Sequence, residues 1–573
     1  MIWRSFFSFN QSDESFYLST VHRLWLGDKL VTDEWHPTQF YSPILLPFYA
    51  LYRFIVPSGN GVILFFRILT VCFTMVVGLY ASIVFQRLYG MRAIFMAGAA
   101  MMIYCGRGNM MGPSYYTLSI NFLLLALLFR ADAVLLKKDP LFLLSGVFSA
   151  LTVFCMPYMA IPFIIYSVAA FFVNSGSKEM EGHSFLEKQR FLILYLIGMV
   201  GMAALYLICF FRIFHIGEVL TNFVYIFRDP EHTGSFSQML GTSIKSYRYF
   251  TGEIPFYLMP VASLIVLAYC LHGKGILKKI VLKVLLLFSM IGFTVLMMDK
   301  SINMNGRCAA ALSTWCMPIV VIVLYRRYIK KERQADDGGL LFSMVLAGLT
   351  MAAAYGGASN TGLGGFTSGF VIVAVAVCIC LSEYVAYYYD ESTGSIFTKG
   401  IVEGCLVAMM IIMLMVRFFG VYRDADIINL DSKITDGPAA GLYTTRDVVI
   451  NYEQALDTVR DIDKNVKGEY IFHTAVMPWA YLCTNKKCGA PTTWCTTLDS
   501  PILEDYYILH LDRIPDIVVV YKPEVGSYAD CYYAVKGGEP FPNDNDLEGS
   551  LWDHIQRNSY KSYETAVATV YYR

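Results

Sequence analysis

Charge is scarce in this sequence. Asp, Glu, Lys and Arg make up 16% of its 573 residues, where a soluble domain carries about a quarter. The two signs also cancel, 45 basic against 45 acidic, and no polybasic tail is present. Nothing in this pattern points to nucleic acid, and none is expected as a partner. Closely paired cysteines are lacking in the polar C-terminal stretch. Its four, Cys483, Cys488, Cys495 and Cys531, do not have the Cys-x2-Cys spacing of a zinc site. A disulfide among them stays open if that stretch is extracytoplasmic. Most other cysteines lie in apolar runs, as small core hydrophobes do. No internal repeat, low-complexity tract or Ser or Cys triad is visible. The Gly-rich segment 359–369 has no Gly-Lys-Thr, so it reads as a turn near acceptor access rather than a phosphate-binding loop. The opening MIWRSFFSFNQ is too short to cross a bilayer and is no signal peptide.

What is abundant is hydrocarbon. Hydrophobic residues reach 56% and aromatic ones 15%, the composition of an integral membrane protein. A crossing helix needs about 20 apolar residues. Twelve candidates lie near 61–86, 92–106, 117–136, 140–157, 158–173, 191–214, 254–272, 280–298, 307–325, 340–357, 369–389 and 400–421. Pro157 and Tyr158 separate the fourth from the fifth. Lys and Arg collect in alternate short loops, such as Lys137-Lys138, Lys278-Lys279 and Arg326-Arg327, which marks those loops as cytoplasmic. Residues 1–60, the loops 107–116, 215–253 and 299–306, and everything after 421 then fall outside. An even number of crossings leaves the N-terminus outside as well, so an upstream helix is expected to be missing. The segment 43–57 is apolar but short and rich in Pro, and fits a helix lying flat in the interface.

After residue 421 the character changes. Helix signals at 447–465 and 500–512 alternate with strand-like runs at 469–473, 516–521 and 565–572, which suggests a small α/β domain. The expected architecture is a polytopic α-helical membrane protein of about twelve transmembrane helices. Residues 1–60 form an acidic outer loop with its interfacial helix, 61–421 the membrane domain, and 422–573 an extracytoplasmic α/β domain.

The stretch 12–49 holds two acidic pairs, Asp13-Glu14 and Asp33-Glu34, with His22, His36 and three prolines close by. Carboxylates are costly inside a bilayer, so this stretch lies at a membrane surface. The order of Asp13-Glu14, Tyr17, Gly27-Asp28, Pro43 through Tyr49 and Phe66-Arg67 resembles the first outer loop of C-type membrane glycosyltransferases. These use polyprenyl-phosphate sugars, and include the protein O-mannosyltransferases and lipid A aminoarabinose transferases. Gln86-Arg87-Leu88-Tyr89-Gly90 before an Ala-rich helix also fits that pattern. The likeness covers about the first 300 residues. This chain has Tyr41-Ser42-Pro43 where the aminoarabinose enzymes have Lys-Pro-Pro, and no second Asp in the outer loop around 106–117.

The resemblance implies sugar transfer, with inversion, from a polyprenyl-phosphate donor to a cell-envelope glycan, lipid or protein. It places the general base at Asp13, with Glu14 beside it; capping of a helix by Ser12 and the two acids is the plain alternative. Asp33, Glu34 and His36 form a second cluster that could hold Mg, Mn or Zn together with Asp13, or simply remain a solvated loop. His22 is expected to face outward, and His232 could face the site. For the leaving phosphate the candidates are Arg107, Lys300 and Arg307 at outer helix ends, with snorkelling as the alternative. Arg67 is expected to pair with a loop carboxylate, and Tyr17 and Trp35 could line the sugar or anchor the interface. No nucleotide is expected outside the membrane. The competing reading is a transporter or flippase of lipid-linked sugars, although such proteins usually carry paired repeats with midspan sites.

Overall fold

The computed structural model describes residues 1–104, 110–176, 184–211, 216–228, 235–272, 276–297, 305–331, 337–358, 363–391, 396–474, 476–494, 500–522 and 550–573. Two helices precede the membrane region, α1 (Asp13–Trp25) and α2 (Ser42–Ile55). Pro43 suits the first turn of α2, where a missing N–H leaves nothing unsatisfied. Leu45 and Tyr49 turn inward from α2 while Phe48, Leu51, Phe54 and Ile55 stay exposed. An exposed apolar stripe on a short helix suits the membrane interface.

The membrane helices follow as α3 (Val62–Tyr89), α4 (Ala93–Ile103), α5 (Tyr115–Leu136), α6 (Asp139–Cys155), α7 (Ala160–Gly176) and α8 (Phe185–Phe211). Then come the short α9 (Ile216–Asn222), α10 (Phe236–Thr251), α11 (Glu253–His272) and α12 (Ile276–Met297). The last group is α13 (Asn305–Trp315), α14 (Met317–Leu324), α15 (Leu340–Ala358), α16 (Leu363–Glu391) and α17 (Ile396–Phe419). Over the described residues the twelve apolar runs are helical for most of their length, but they are not equal as crossings. Among the described residues six helices are long and apolar enough to cross a membrane. The run expected as one span at 307–325 is a bent pair, turning by 59° between Trp315 and Met317. Pro318 opens the second half, where it cannot supply the N–H that would continue the first. Ala93–Ile103, Asp139–Cys155 and three further helices are shorter. As expected, α6 stops at Cys155 and a short 3-10 turn, Pro157–Met159, leads into α7.

Helix α16 is the axis of the bundle. Phe370 through Leu381 are all buried, as befits a helix apolar on every side, and α4, α13, α14 and α15 pack around it. Helices α6 and α8 meet through Gly146 and Gly198. A Cβ on Gly146 would stand 2.0 Å from the Tyr195 carbonyl, and one on Gly198 as close to that of Leu143, so only glycine permits this approach.

Beyond α17 a hairpin, β1 (Ser432–Lys433) and β2 (Tyr443–Thr444), precedes α18 (Arg446–Asn465). A five-stranded mixed sheet follows, with β3 (Tyr470–His473), β4 (Lys487–Cys488), β5 (Ile517–Tyr521), β6 (Lys561–Glu564) and β7 (Ala568–Tyr572) in the order β4-β3-β5-β7-β6. Strand β5 runs parallel to β3 and antiparallel to β7. Its Ile517, Val518 and Val519 are buried, the continuous apolar run of a central strand. Helix α19 (Pro478–Tyr481) lies between β3 and β4 in the chain and packs on α1, and helix α20 (Ser500–Leu509) precedes β5. Cys483 and Cys488 are free thiols; Cys495 and Cys531 lie outside the described residues.

This C-terminal unit grips the start of the chain. Ser8 N–H donates to the Tyr443 carbonyl at 2.9 Å and Phe9 N–H to Asp424 Oδ2 at 2.7 Å. Arg4 Nη2 donates to the Gly420 carbonyl at 2.8 Å, and Trp3 stacks on Phe418 at 4.8 Å. Asp13 and the C-terminal unit therefore lie on one side of the helix bundle.

Candidate active site at the start of the first helix

Helix α1 begins beneath that grip. Ser12 stands at the N-cap, but its side chain does not cap. Asn10 does this instead: its Oδ1 accepts from Ser12 N at 3.0 Å, Asp13 N at 3.2 Å and Ser12 Oγ at 2.7 Å. These contacts satisfy the first orphan donors of the helix and fix where Asp13 points. Asp13 Oδ2 accepts from Arg423 Nη1 at 2.6 Å, Tyr422 Oη at 3.2 Å and Ser12 Oγ at 3.2 Å. Oδ1 accepts no hydrogen bond among the described residues. The Asp13 side chain keeps 9% exposure and Arg423 keeps 28%. A carboxylate with one oxygen clamped and the other without a hydrogen bond can take a proton on the second.

Glu14, expected beside Asp13 in the chemistry, is spoken for. Its Oε1 accepts from Met111 N at 3.0 Å and Gly112 N at 2.7 Å. Its Oε2 receives Arg67 Nε at 3.0 Å and also Arg67 Nη2. Arg67 spends its remaining nitrogen on the carbonyls of Ser5, Phe7 and Ser8 at 3.0–3.1 Å. The pair is almost fully buried, so Arg67 is no substrate ligand. It ties the N-terminal segment, α1 and α3 together.

The second acidic pair departs from expectation in the same way. Arg23 Nε meets Asp28 Oδ2 at 2.7 Å and its Nη1 meets Glu34 Oε2 at 3.0 Å. From the C-terminal unit, Arg513 reaches Asp28 Oδ1 at 2.7 Å and Asp33 Oδ2 at 2.9 Å. Lys29 N–H adds 2.6 Å to Asp33 Oδ2, and His36 N–H gives 3.1 Å to Glu34 Oε1. Asp33 Oδ1 lacks a hydrogen bond among the described residues, but its side chain is only 4% exposed. Burial pushes the Asp33 and Glu34 carboxyls up against the pull of the arginines. For Asp28, burial also raises, and Arg23 and Arg513 together reverse it. This network fastens the loop to the C-terminal unit; it is not a substrate surface.

No metal set forms from these groups. Among the described residues no three of His, Cys, Asp and Glu gather as ligands. Asp13 is held by Arg423 and Asp33 by Arg513, while His36 Nδ1 turns to Thr38 Oγ1 at 2.8 Å. His22 faces inward rather than outward. Its Nδ1 lies 2.7 Å from Tyr49 Oη and its Nε2 2.9 Å from the Thr484 carbonyl, and burial lowers its pKa to about 4. Tyr17 is buried edge-on to Tyr41 and Tyr115. Trp35 stacks on Tyr225 at 4.4 Å. Arg107, Lys300 and His232 lie outside the described residues, as does the side chain of Arg307. Arg423 and Tyr422 were not anticipated. Their signal was position: Tyr422-Arg423-Asp424 is the first polar cluster after the last apolar run.

No protein-family model matches the chain, and neither does any curated protein. Among solved structures the chain is similar to the archaeal oligosaccharyltransferase AglB from Archaeoglobus fulgidus, in complex with an inhibitory peptide and a dolichol-phosphate. The identity is 11% and the TM-score 0.42, over 96% of this chain and 69% of that one. A likeness this distant carries no argument about chemistry. The fold itself defines a polytopic helical membrane protein whose C-terminal unit is seated on its first acidic loop.

Proposed function

We propose that the chain is a membrane glycosyltransferase, moving a sugar from a polyprenyl-phosphate donor to a glycan, lipid or protein on the extracytoplasmic side. The observation that carries this reading is Asp13, with Oδ2 clamped and Oδ1 without a hydrogen bond among the described residues. It occupies the position at which the resembled transferases place their base. In the reaction Oδ1 takes the proton of the acceptor hydroxyl. The acceptor oxygen bonds to the anomeric carbon, and the bond from that carbon to the phosphate oxygen breaks. The electron pair leaves with the polyprenyl phosphate, and a single displacement inverts the anomeric centre. Arg423 and Tyr422 act as positioning residues that aim Oδ1.

Sidedness follows from the Lys and Arg bias of the loops. The contact between the N-terminal segment and the C-terminal unit supports it, since both must share one compartment. The test uses full-length protein in liposomes with polyprenyl-phosphate sugars. Sugar transfer or release is expected from wild type and a loss of about 10²–10⁴-fold from Asp13→Asn, the range for a positioned acid or base. Full activity in Asp13→Asn removes this residue as base. Donor scrambling between leaflets without transfer selects the transporter reading instead.

A further inference from the structure

Helix α9 and the 3-10 turn that continues it, Phe223–Arg228, divide their residues between two faces. Val219, Asn222 and Ile226 are buried. Ile216, Leu220 and Phe227 are 68–70% exposed. The C-terminal unit adds to this bare apolar surface. Asn222 Oδ1 lies 3.0 Å from His510 Nε2, 288 residues away in sequence, and Arg228 Nη1 meets Asp505 Oδ2 at 2.6 Å. In that tip Ile508 and Leu511 are 66% and 72% exposed. Exposed apolar surface gathered from two distant segments marks an interaction site.

Continuity with a crossing helix identifies what covers it. Helix α8, long and apolar enough to cross a membrane, exposes Leu205, Leu207 and Ile208 near its end, as a lipid-facing helix does. Phe210, one residue before that end, packs with Val219 and Ile226. Helix α9 therefore starts where the crossing helix stops, at the membrane boundary. A short segment with one apolar exposed stripe suits the layer between headgroups and acyl chains. Arg228 lies over the Tyr225 ring at 4.8 Å, an aromatic and a cation of the kind that anchor at this height.

The buried face holds the acidic loop. Val219 and Ile226 pack on Leu30 and Val31. Lys29 Nζ meets Glu218 Oε2 at 2.8 Å, and Trp35 Nε1 donates to Asn222 Oδ1 at 3.1 Å. The loop needs holding, because Val31 has a φ of 68°, which a β-branched residue keeps only where its surroundings impose it. We infer that α9, its 3-10 turn and the tip at 508–511 form a latch seated in the bilayer surface. Lipid holds the outer face in place, and the inner face fastens the acidic loop to the C-terminal unit. The latch does not depend on Asp13 acting as a base, so the two readings can fail separately.

The experiment places the full chain in nanodiscs of phosphatidylcholine whose acyl chains carry a diazirine near the glycerol end, and maps the carbene adducts by mass spectrometry. Adducts are expected on 216–227 and 508–511, as well as on 207–208, the reference for lipid contact. A second measurement follows amide hydrogen exchange over 29–36. Leu220→Glu combined with Phe227→Glu alters only exposed side chains, yet exchange is expected to rise several-fold in nanodiscs as the loop opens more readily. Ile508→Ser combined with Leu511→Ser is expected to give a smaller rise, and it decides if the first variant does not fold. Adducts on 207–208 with none on 216–227, or none on 508–511, overturn the inference. Cross-links through these residues between isotopically distinct copies would give the face to a second copy and overturn it too. Lipid adducts with unchanged exchange in both variants would leave contact without a latch, which also rejects it.

Discussion

Asp13 is held from the membrane end of the chain, by residues that directly follow the last membrane helix. Asp33 and Glu34 are held from within their own loop by Arg23 and from the far C-terminal unit by Arg513. In the second site both arginines are buried to 9% exposure or less, and three carboxyls share them. In the first, the counter-ion is 28% exposed, and the unbonded carboxylate oxygen, a feature Asp33 shares, lies beside that partly exposed cation instead of a buried one. The contrast separates two uses of the same chemistry. A carboxylate ringed by buried cations holds elements together, because losing any member strands a charge. A carboxylate held by one partly exposed cation can exchange that contact without stranding a buried charge.

The largest expected effect tests this division directly. Asp13→Asn lowers transfer by about 10²–10⁴-fold and leaves the melting temperature in detergent nearly unchanged. Glu34→Gln does the reverse: it strips Arg23 of a buried partner and lowers the melting temperature first. If Asp13→Asn destabilises as much as Glu34→Gln, both sites are structural and the comparison collapses.

Arg513→Gln sharpens the second half. It leaves Asp28 and Asp33 without their cation from the C-terminal unit, and breaking a buried pair costs about 3–5 kcal/mol. Because Arg513 bridges two parts of the chain, the loss is expected in their docking. Limited proteolysis should release C-terminal fragments from the variant faster than from wild type. Unchanged proteolysis and an unchanged melting temperature would leave Arg513 without the fastening role.

Arg423→Gln sets a smaller effect. Freed at Oδ2, Asp13 keeps Tyr422 and Ser12 as partners but is aimed less well. We expect kcat about tenfold lower, roughly 1.4 kcal/mol in the barrier, with KM little changed and partial rescue by Arg423→Lys. A fall in stability with kcat unchanged would make Arg423 structural.

Much of the fold was legible because hydrophobic length is a strong local signal. The twelve apolar runs, the break at Pro157 and the helix and strands after residue 440 all rest on runs of the right period. The bend at Pro318 was not read, since a continuous apolar stretch hides it. At the site, sequence separates little: Asp13-Glu14 and Asp33-Glu34 are the same dipeptide. What distinguishes them comes from Arg67, Arg423 and Arg513, some 50 to 480 residues away. His22 was misread for a related reason. A helix position beside an acidic loop looks solvated until Tyr49 and Thr484 close over it.

His22 supplies the finest test of how the loop is held. Its folded pKa is about 4 against a free value of 6.5, so the unfolded chain takes up a proton that the folded one refuses. Stability from this group is whole above about pH 6.5 and is lost as pH falls toward about 4, by about 1.4 kcal/mol per pH unit. His473, lowered to about 3 by burial in the sheet, adds a slope of the same sign. The raised carboxyls of Asp33 and Glu34 act in the opposite direction. Comparing wild type with His22→Gln leaves those other contributions common to both. The variant keeps hydrogen-bonding capacity for Tyr49 and Thr484 but cannot titrate. Its melting temperature should fall less steeply than that of wild type across this acid range, while Asp13-dependent transfer near neutral pH stays equal in the two. Parallel slopes would mean that His22 is already solvated and that the first loop is held by its ion pairs alone.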